Sequence, residues 1–225
     1  MKINGVDIST KDLILTRVPP IVKPQKRVRR ITIPGRSGFL TEWSGDYESY
    51  IKEPEFVYNG SDIDDALTFL QSASLAVFPN ETEYAYEVRA DDRIDAVLQP
   101  SGIYKIFAPY ITEPLKRQAT ESVHEDATTY SITNLGNEPA YPKLVITGAG
   151  TQTVTVGADI ITIDFDVGGE TITIDSLNGQ IYDAGGANAW SKVTGDLPVI
   201  PVSSSAITVS TTGTVLTIYP NWRWA

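Results

Sequence analysis

One segment of the chain has apolar residues at helical spacing. Within residues 61–73 a single helix face carries the apolar side chains Ile63, Ala66, Leu67, Leu70 and Ala73. Ser61 is the expected N-cap, and the aspartates that follow it favour the positive end of the helix dipole. The pattern predicts one amphipathic helix that is buried along one stripe.

The remainder of the first half alternates between apolar and polar residues, as strands do. The segment 28–33 alternates with one slip between Val28 and Ile31, which indicates a bulge or a start at Arg30. A hairpin or meander is expected to follow it. Further strands are predicted at 3–8, 13–18, 84–90 and 103–107. The first half is therefore predicted to be α+β, with strands dominant.

The second half has the pattern of an all-β domain. Gly168-Gly169 and Asn178-Gly179 each favour a tight hairpin turn between strands. The short strands recur at a spacing that is typical of a β-sandwich or jelly roll. They are predicted at 143–147, 153–156, 160–165, 171–175, 180–183, 206–210 and 215–219.

Charge divides the 225-residue chain into the same two parts. Residues 1–118 have 15 basic and 17 acidic side chains, whereas residues 119–225 have 3 basic and 11 acidic ones. Thr and Gly also become more frequent after residue 119. We therefore predict a domain at 1–118, a polar linker at 119–129 and a second domain at 130–225.

Composition excludes several classes of protein. Cysteine is absent, which removes disulfides, thiolate nucleophiles and cysteine-based zinc sites. No apolar run has the ~18 residues that a membrane span needs, and the N-terminus has no apolar signal-peptide core. The acidic second half should repel nucleic acid. We expect a protein that folds in the cytosol and has no membrane partner.

Candidate catalytic residues are few and poorly placed. His124 is the one histidine, and it lies in the predicted linker without a nucleophile motif nearby. Asp164, Asp166 and Glu170 are spaced like cation ligands, but strands flank them and a solvated polar face is the favoured interpretation. Nothing selects a glycosidase pair of carboxylates or a dinucleotide site. We therefore expect no enzymatic activity, no cofactor and no metal.

A cluster of basic residues in the first half is open to three interpretations. It consists of Lys23, Lys26, Arg27, Arg29, Arg30 and Arg36. A protein–protein contact is favoured, because the chain is acidic elsewhere and copies of it could pair. A charged edge strand that prevents unwanted pairing is the second interpretation. Nucleic-acid binding is the third, although no aromatic residues are interleaved for base stacking.

The tryptophans of the second half are a further candidate site. Trp190, Trp222 and Trp224 are either sugar-stacking or partner-binding side chains, or else part of a core or an interface. Trp222 and Trp224 are two residues apart and would share one face of a terminal strand. A carbohydrate-binding module for host cell-wall glycans is therefore the alternative to a structural role.

Short motifs in a fixed order extend through both halves. In the first they are IPGRSGFL at 33–40, GDY at 45–47 and EPLK at 113–116, arranged around the basic strand and the helix. This order resembles the N-terminal domain of distal tail proteins from long-tailed phages and prophages. The second half contains NLGNEPAYP at 134–142, LVI at 144–146, ITID at 172–175, NGQIY at 178–182 and WRW at 222–224. It resembles the galectin-like β-sandwich of the same family.

The resemblance implies a mostly β fold with one helix, in which a ring-forming α+β domain precedes a galectin-like or jelly-roll sandwich. It also implies a non-enzymatic hub at the tail tip of the virion, made in the host bacterial cytoplasm. Six copies of the chain would form a ring that joins the tail tube to the host-adhesion device, and the isolated chain can be a monomer. DNA would pass through the central channel without specific binding.

The implied partners are therefore other copies of the chain, the major tail tube protein, the tape measure protein and a tail-associated fibre or lysin protein. A receptor-binding protein is a further implied partner. The compact second domain lacks the long arm of larger family members, which leaves direct anchoring of that protein open.

A ring requires one surface of each copy to meet a different surface of the next copy. The candidate pair is basic on one side and acidic on the other. The basic residues are Lys26, Arg27, Arg29, Arg30 and Arg36, and the acidic residues are Asp62, Asp64 and Asp65.

Overall fold

The computed structural model describes residues 1–91, 93–203, 207–211 and 215–225. The chain forms two compact units, which we call the N-terminal unit (Met1–Ala119, with Ala225) and the C-terminal unit (Thr120–Trp224). In this described part of the chain, no helix is both long and apolar enough to cross a membrane.

The N-terminal unit combines short strands with one α-helix, α1 (Ile63–Gln71), and a 3-10 turn at Ile8–Lys11. Its strands are β1 Lys2–Ile3, β2 Val6–Asp7, β3 Leu13–Arg17, β4 Lys26–Ile31, β5 Leu40–Tyr47, β6 Tyr50–Lys52, β7 Glu55–Tyr58, β8 Leu75–Val77, β9 Tyr84–Arg89, β10 Asp95–Leu98, β11 Tyr104–Phe107, β12 Tyr110–Thr112 and β13 Lys116–Gln118.

Helix α1 lies where the apolar spacing predicts it, and it buries Ala66 and Leu70. Its N-cap is Asp62 and not the expected Ser61, because the Asp62 carboxylate accepts a hydrogen bond from the backbone N–H of Asp65 at 3.1 Å. At its other end, the hydroxyl of Tyr110 donates to the carbonyl of Leu70 at 3.0 Å. The helix is thus tied to strand β12.

The core of the N-terminal unit lies between two sheets and α1. One sheet has the order β2-β1-β8-β9-β12-β6, with β13 also beside β9, and the other has the order β10-β11-β7-β3. Side chains from both sheets, such as Phe56, Tyr86 and Ile106, pack into one cluster with α1. Strands β4 and β5 form a separate two-stranded sheet.

The C-terminal unit is built from strands and one 3-10 turn, Trp190–Lys192. Its strands are β14 His124–Ala127, β15 Thr129–Ile132, β16 Lys143–Val156, β17 Asp159–Asp175, β18 Gln180–Asp183, β19 Val193–Thr194, β20 Ile207–Thr211, β21 Val215–Tyr219 and β22 Arg223–Trp224. The strand predicted at 206–210 corresponds to β20, and residue 206 lies outside the described residues.

One long bent hairpin organises this unit. Residues 143–148 of β16 pair with 170–175 of β17, and residues 150–156 pair with 159–165. The register shifts between Gly148 and Gly150, and Gly150 has a positive φ of 69°. A bulge at such a shift bends both strands, so the two halves of the hairpin belong to different layers.

Each half of the hairpin is the centre of one layer. The first layer has the order β14-β21-β16-β17-β18, and in the second β20 and β19 flank the hairpin, with β15 beside β20. Ile146 and Ile172 from one half and Val154 and Ile163 from the other belong to a single buried cluster. The sandwich and the mostly β fold class with one helix are confirmed.

Two expectations for the second half need correction. The segment 119–129 is not simply a polar linker, because strand β14 lies within it and pairs with β21. Gly168-Gly169 is not a hairpin turn, since β17 continues through both residues. These glycines lie where the long hairpin bends, and the turn between β16 and β17 is at residues 157–158. The turn at Asn178-Gly179 is confirmed between β17 and β18.

We predict that Ile163→Ala lowers the free energy of unfolding by about 2–5 kcal/mol, because Ile163 is fully buried and its loss leaves a cavity. Ile160→Ala in the same strand is the matched control and should cost less than about 0.5 kcal/mol, because Ile160 is 62% exposed. Urea unfolding of the two variants measures the difference. Equal losses would contradict the assigned inward face of β17.

Candidate functional site

The basic segment of the sequence forms the isolated hairpin of β4 and β5, which we call the arm (residues 26–47). Its register pairs Val28 with Trp43 and Ile31 with Leu40. The base of the arm is closed by the N–H of Glu48, which donates to the carbonyl of Gln25 at 2.8 Å. The predicted bulge is present, but it lies between Lys26 and Val28.

Cations on the arm lie against its aromatic rings. The Nζ of Lys26 is 3.9 Å from the centre of the Trp43 ring, and the guanidinium of Arg30 is 4.8 Å from that of Phe39. The indole N–H of Trp43 donates to the carbonyl of Asp46 at 2.9 Å. These contacts restrict the side chains, although none of them belongs to either core cluster of the described residues.

The arm presents a surface that is both basic and apolar. Its five basic residues, Lys26, Arg27, Arg29, Arg30 and Arg36, are all exposed, and it contains only two acidic ones. Four of its large apolar side chains are also exposed, by 39–52%. They are Ile33, Phe39, Leu40 and Trp43. Arginine and aromatic residues together are typical of protein interfaces.

Two side chains of the unit's body hold the segment that leads into the arm. The amide of Asn80 donates to the carbonyl of Pro19 at 3.0 Å, and the Nζ of Lys52 donates to the carbonyl of Pro20 at 3.0 Å. Lys52 is 1% exposed and lies over the rings of Tyr86 and Phe78, at 4.4 and 5.1 Å from their centres. The chain before the arm is therefore attached to the body of the unit at Pro19 and Pro20.

The carboxylate of Glu81, whose side chain is 7% exposed, acts electrostatically on Lys52. Glu81 accepts hydrogen bonds from Lys116, at 2.7 Å, and from the hydroxyl of Tyr86. Burial raises the pKa of Glu81, but these two hydrogen bonds outweigh it and leave the pKa below its usual value. Burial also lowers the pKa of Lys52, which the nearby Glu81 opposes. The lysine that holds Pro20 thus lies near an acid that is itself paired with Lys116.

The three acidic candidates on α1 differ in their availability. The Asp62 carboxylate caps the helix, and Asp65 forms an ion pair with Lys11 at 3.1 Å. Asp64 makes no hydrogen bond or ion pair with any of the described residues, and it is exposed. Of the three, Asp64 is the one that offers a carboxylate to another molecule.

The tryptophans of the C-terminal unit divide into two classes. Trp222 is 3% exposed and belongs to the core, which agrees with the second of the two interpretations given for it and leaves its indole unavailable for stacking. Trp224 is half-buried and packs against the same core. Trp190 is 43% exposed and lines a groove of about 250 Å³. Which of these tryptophans is buried depends on where the packed sandwich has room for an indole, and the sequence alone does not show this.

The remaining chemical candidates are engaged in the fold. His124 lies in β14 with its ring 5.5 Å from that of Tyr130. The ammonium of Lys192 contacts Asp166 at 3.1 Å and Glu170 at 2.6 Å, so the protein's own cation neutralises these acids. Among the described residues, no three His, Asp or Glu side chains are grouped as a metal site requires.

Comparison with known proteins identifies a shared fold. No protein-family model and no curated protein matches the chain. The crystal structure of SPP1 Dit (gp 19.1), a hub protein of the adsorption apparatus of phages that infect Gram-positive bacteria, matches it with a TM-score of 0.69. The match covers 99% of this chain and 98% of SPP1 Dit at 14% sequence identity. The resemblance to distal tail proteins is thereby confirmed at the level of the fold.

We predict that the stability of the N-terminal unit falls above pH 10. Burial raises the pKa of Tyr50 to about 12, and it raises those of Tyr86 and Tyr110 well above the usual value. The folded protein keeps protons that the unfolded chain releases near pH 10, so each pH unit above that value favours unfolding.

Thermal unfolding between pH 9 and pH 12 tests this. The melting temperature should fall across the range in the wild type and fall less in Tyr86→Phe, which has one buried phenol fewer. An identical pH dependence in both proteins would show that Tyr86 ionises normally.

Proposed function

We propose that this chain is a structural hub protein at the distal end of the tail of a long-tailed phage or prophage. The supporting observation is the end-to-end correspondence with SPP1 Dit, which includes both units and leaves almost no residue of either chain unmatched. In this proposal six copies form a ring that joins the tail tube to the host-adhesion device. No catalytic step is part of the proposal.

The two units have different roles in this scheme. The domain proposed at 1–118 forms the ring, and the domain proposed at 130–225 is the sandwich. The ring would contact the major tail tube protein on one side and a tail-associated fibre or lysin protein on the other. The tape measure protein and DNA would occupy the channel, and a receptor-binding protein is a further candidate partner of the sandwich. The working location is the tail tip of the virion.

The arm is the proposed ring contact. A ring closes when one surface of each copy meets a different surface of its neighbour, and the arm differs in charge from the rest of its unit. It has five basic and two acidic residues, whereas the rest of residues 1–118 has ten basic and fifteen acidic ones. The arm of one copy on the acidic body of the next is therefore electrostatically favourable, with Asp64 as the candidate acceptor.

The exposed apolar side chains favour this interpretation over the two others. An edge strand protected by charge has no need of large apolar groups in water, yet Phe39 and Leu40 are 52% and 40% exposed. A nucleic-acid platform needs accessible ring faces, but Lys26 and Arg30 cover faces of Trp43 and Phe39. A protein surface that is acidic and partly apolar matches both properties.

Immuno-electron microscopy of tail particles tests the location. An antibody against this chain should label the distal end of the tail, where the tube meets the adhesion device. Label along the tube or at the head would contradict the proposed hub. Particles lacking this chain should also lack the adhesion device.

Charge reversal in the arm tests the ring. Arg29→Glu with Arg30→Glu should weaken self-association by about tenfold or more, because it places like charges against the acidic neighbour. Native mass spectrometry and cross-linking at low salt measure the oligomer. Lys2→Glu with Arg93→Glu is the matched control, since it makes the same change of net charge at exposed positions outside the arm.

A second variant separates the arm from its proposed acceptor. Asp64→Arg combined with the arm reversal should restore part of the association if Asp64 faces the arm. Rings unaffected by the arm reversal would exclude the arm as the contact. A wild-type chain that forms no ring either in solution or in tail particles would overturn the hub itself.

A further inference from the structure

The groove beside Trp190 has the composition of a small-ligand site. It lies in the C-terminal unit and has a volume of about 250 Å³. Its lining residues are Gln180, Ile181, Tyr182, Gly186, Asn188 and Trp190. An aromatic surface with a few polar groups around it is the usual construction of a ligand pocket.

The backbone around the groove is fixed by its own hydrogen bonds. The carboxylate of Asp183 accepts from the N–H groups of Gly185 and Ala187 at 2.8 and 2.9 Å. The side-chain oxygen of Asn188 accepts from the N–H of Trp190 at 2.9 Å. The N–H of Ala189 donates to the carbonyl of Ile181 in β18 at 3.0 Å. The indole is therefore presented from a rigid loop, which lowers the entropy cost of binding.

Trp190 is exposed although a core position lies next to it. Ala189 is 4% exposed and belongs to the core cluster, whereas the large side chain that follows it is 43% exposed. Folding alone would favour the opposite arrangement, because a buried indole removes much more apolar surface from water. An exposed indole at a rigid position indicates a surface that is used for contact.

Free hydrogen-bonding groups surround the indole. Within the described residues, the amide of Gln180, the hydroxyl of Tyr182 and the side-chain N–H groups of Asn188 have no hydrogen-bond partner. These groups can donate to and accept from hydroxyl groups. A sugar ring presents an apolar C–H face, which packs on an indole, and hydroxyls at its edge. The groove offers complements to both.

Charge restricts the kind of saccharide. The second half of the chain has 3 basic and 11 acidic residues, and Lys192, two residues after Trp190, is already paired with Asp166 and Glu170. An anionic polymer or a nucleic acid would be repelled. The groove volume lies just below the usual range for ligand pockets, about 300–1,000 Å³. The groove is also much smaller than a protein interface, so it suits one or two sugar rings.

We propose that this groove binds an uncharged saccharide, with one sugar ring stacked on Trp190 and its hydroxyls bonded to Gln180, Tyr182 and Asn188. The proposal goes beyond the hub role and does not depend on ring formation. Affinity for a single site should be weak, in the range of about 0.1–10 mM, since few atoms are in contact. Several copies in one assembly would multiply it through avidity.

Glycan binding by the full-length chain tests the proposal. The probes are an array of uncharged oligosaccharides that contain hexose and N-acetylhexosamine units, with sialyllactose and polyphosphate as anionic counterparts. At least one uncharged probe should bind, and titration calorimetry should show a loss of tenfold or more in Trp190→Ala. Ile160→Ala is the matched control, because Ile160 is 62% exposed in the same unit and is not among the residues that line the groove, so the affinity should stay unchanged.

Asn188→Asp is a second variant. It adds a negative charge and removes the free amide donor, yet it keeps an oxygen acceptor for the N–H of Trp190, so the loop should stay folded. It should weaken binding at least threefold with an unchanged melting temperature. Binding of no uncharged probe, a preference for anionic probes, or full affinity in Trp190→Ala would each overturn the proposal. Capture of a purified envelope protein in place of any glycan would also overturn it.

Discussion

A two-stranded hairpin cannot bury its own side chains, and this limit governs the arm. Isolated hairpins are marginally stable in water, because each strand lacks a neighbour on one edge and a layer beneath it. The arm therefore depends on the Glu48–Gln25 hydrogen bond at its base, on the ring contacts along it, and on the hydrogen bonds that attach the preceding segment to Asn80 and Lys52. Its apolar side chains gain a dry environment only against a second surface. The proposed neighbour in the ring supplies that surface.

The C-terminal unit meets the same limit in a different way. The hairpin of β16 and β17 is long enough to bend on itself, so one pair of strands supplies the centre of both layers. The apolar residues of its two halves then meet in a single core. This closed arrangement makes the sandwich self-sufficient, and it leaves the loop before Trp190 free to present an indole at the surface. The two units thus differ in what they need from partners.

Local signals in the sequence predict local structure well here, and they fail where distant contacts decide. Helix α1 and the turn at Asn178-Gly179 follow from spacing and turn chemistry alone. Asn4-Gly5 has the same turn signal, and it divides the strand predicted at 3–8 into the hairpin of β1 and β2. Gly168-Gly169 lies at a bend within β17 and does not end the strand, because β17 pairs with β16 on both sides of these glycines. That pairing is a distant contact. The fates of Trp190 and Trp222 depend on the packing of the whole sandwich, which no local pattern contains.

The distribution of charge connects the proposed ring with the proposed channel. Basic residues exceed acidic ones on the arm, although the chain as a whole is acidic. In the proposed ring, the next copy would neutralise this excess of positive charge. A closed ring would then expose few unpaired cations to its interior. DNA binds proteins mainly through released counterions at lysine and arginine, so a channel of this kind would let the polymer pass with little retention. The same concentration of charge that favours assembly therefore also favours transit, because each arginine used between subunits is removed from contact with phosphate.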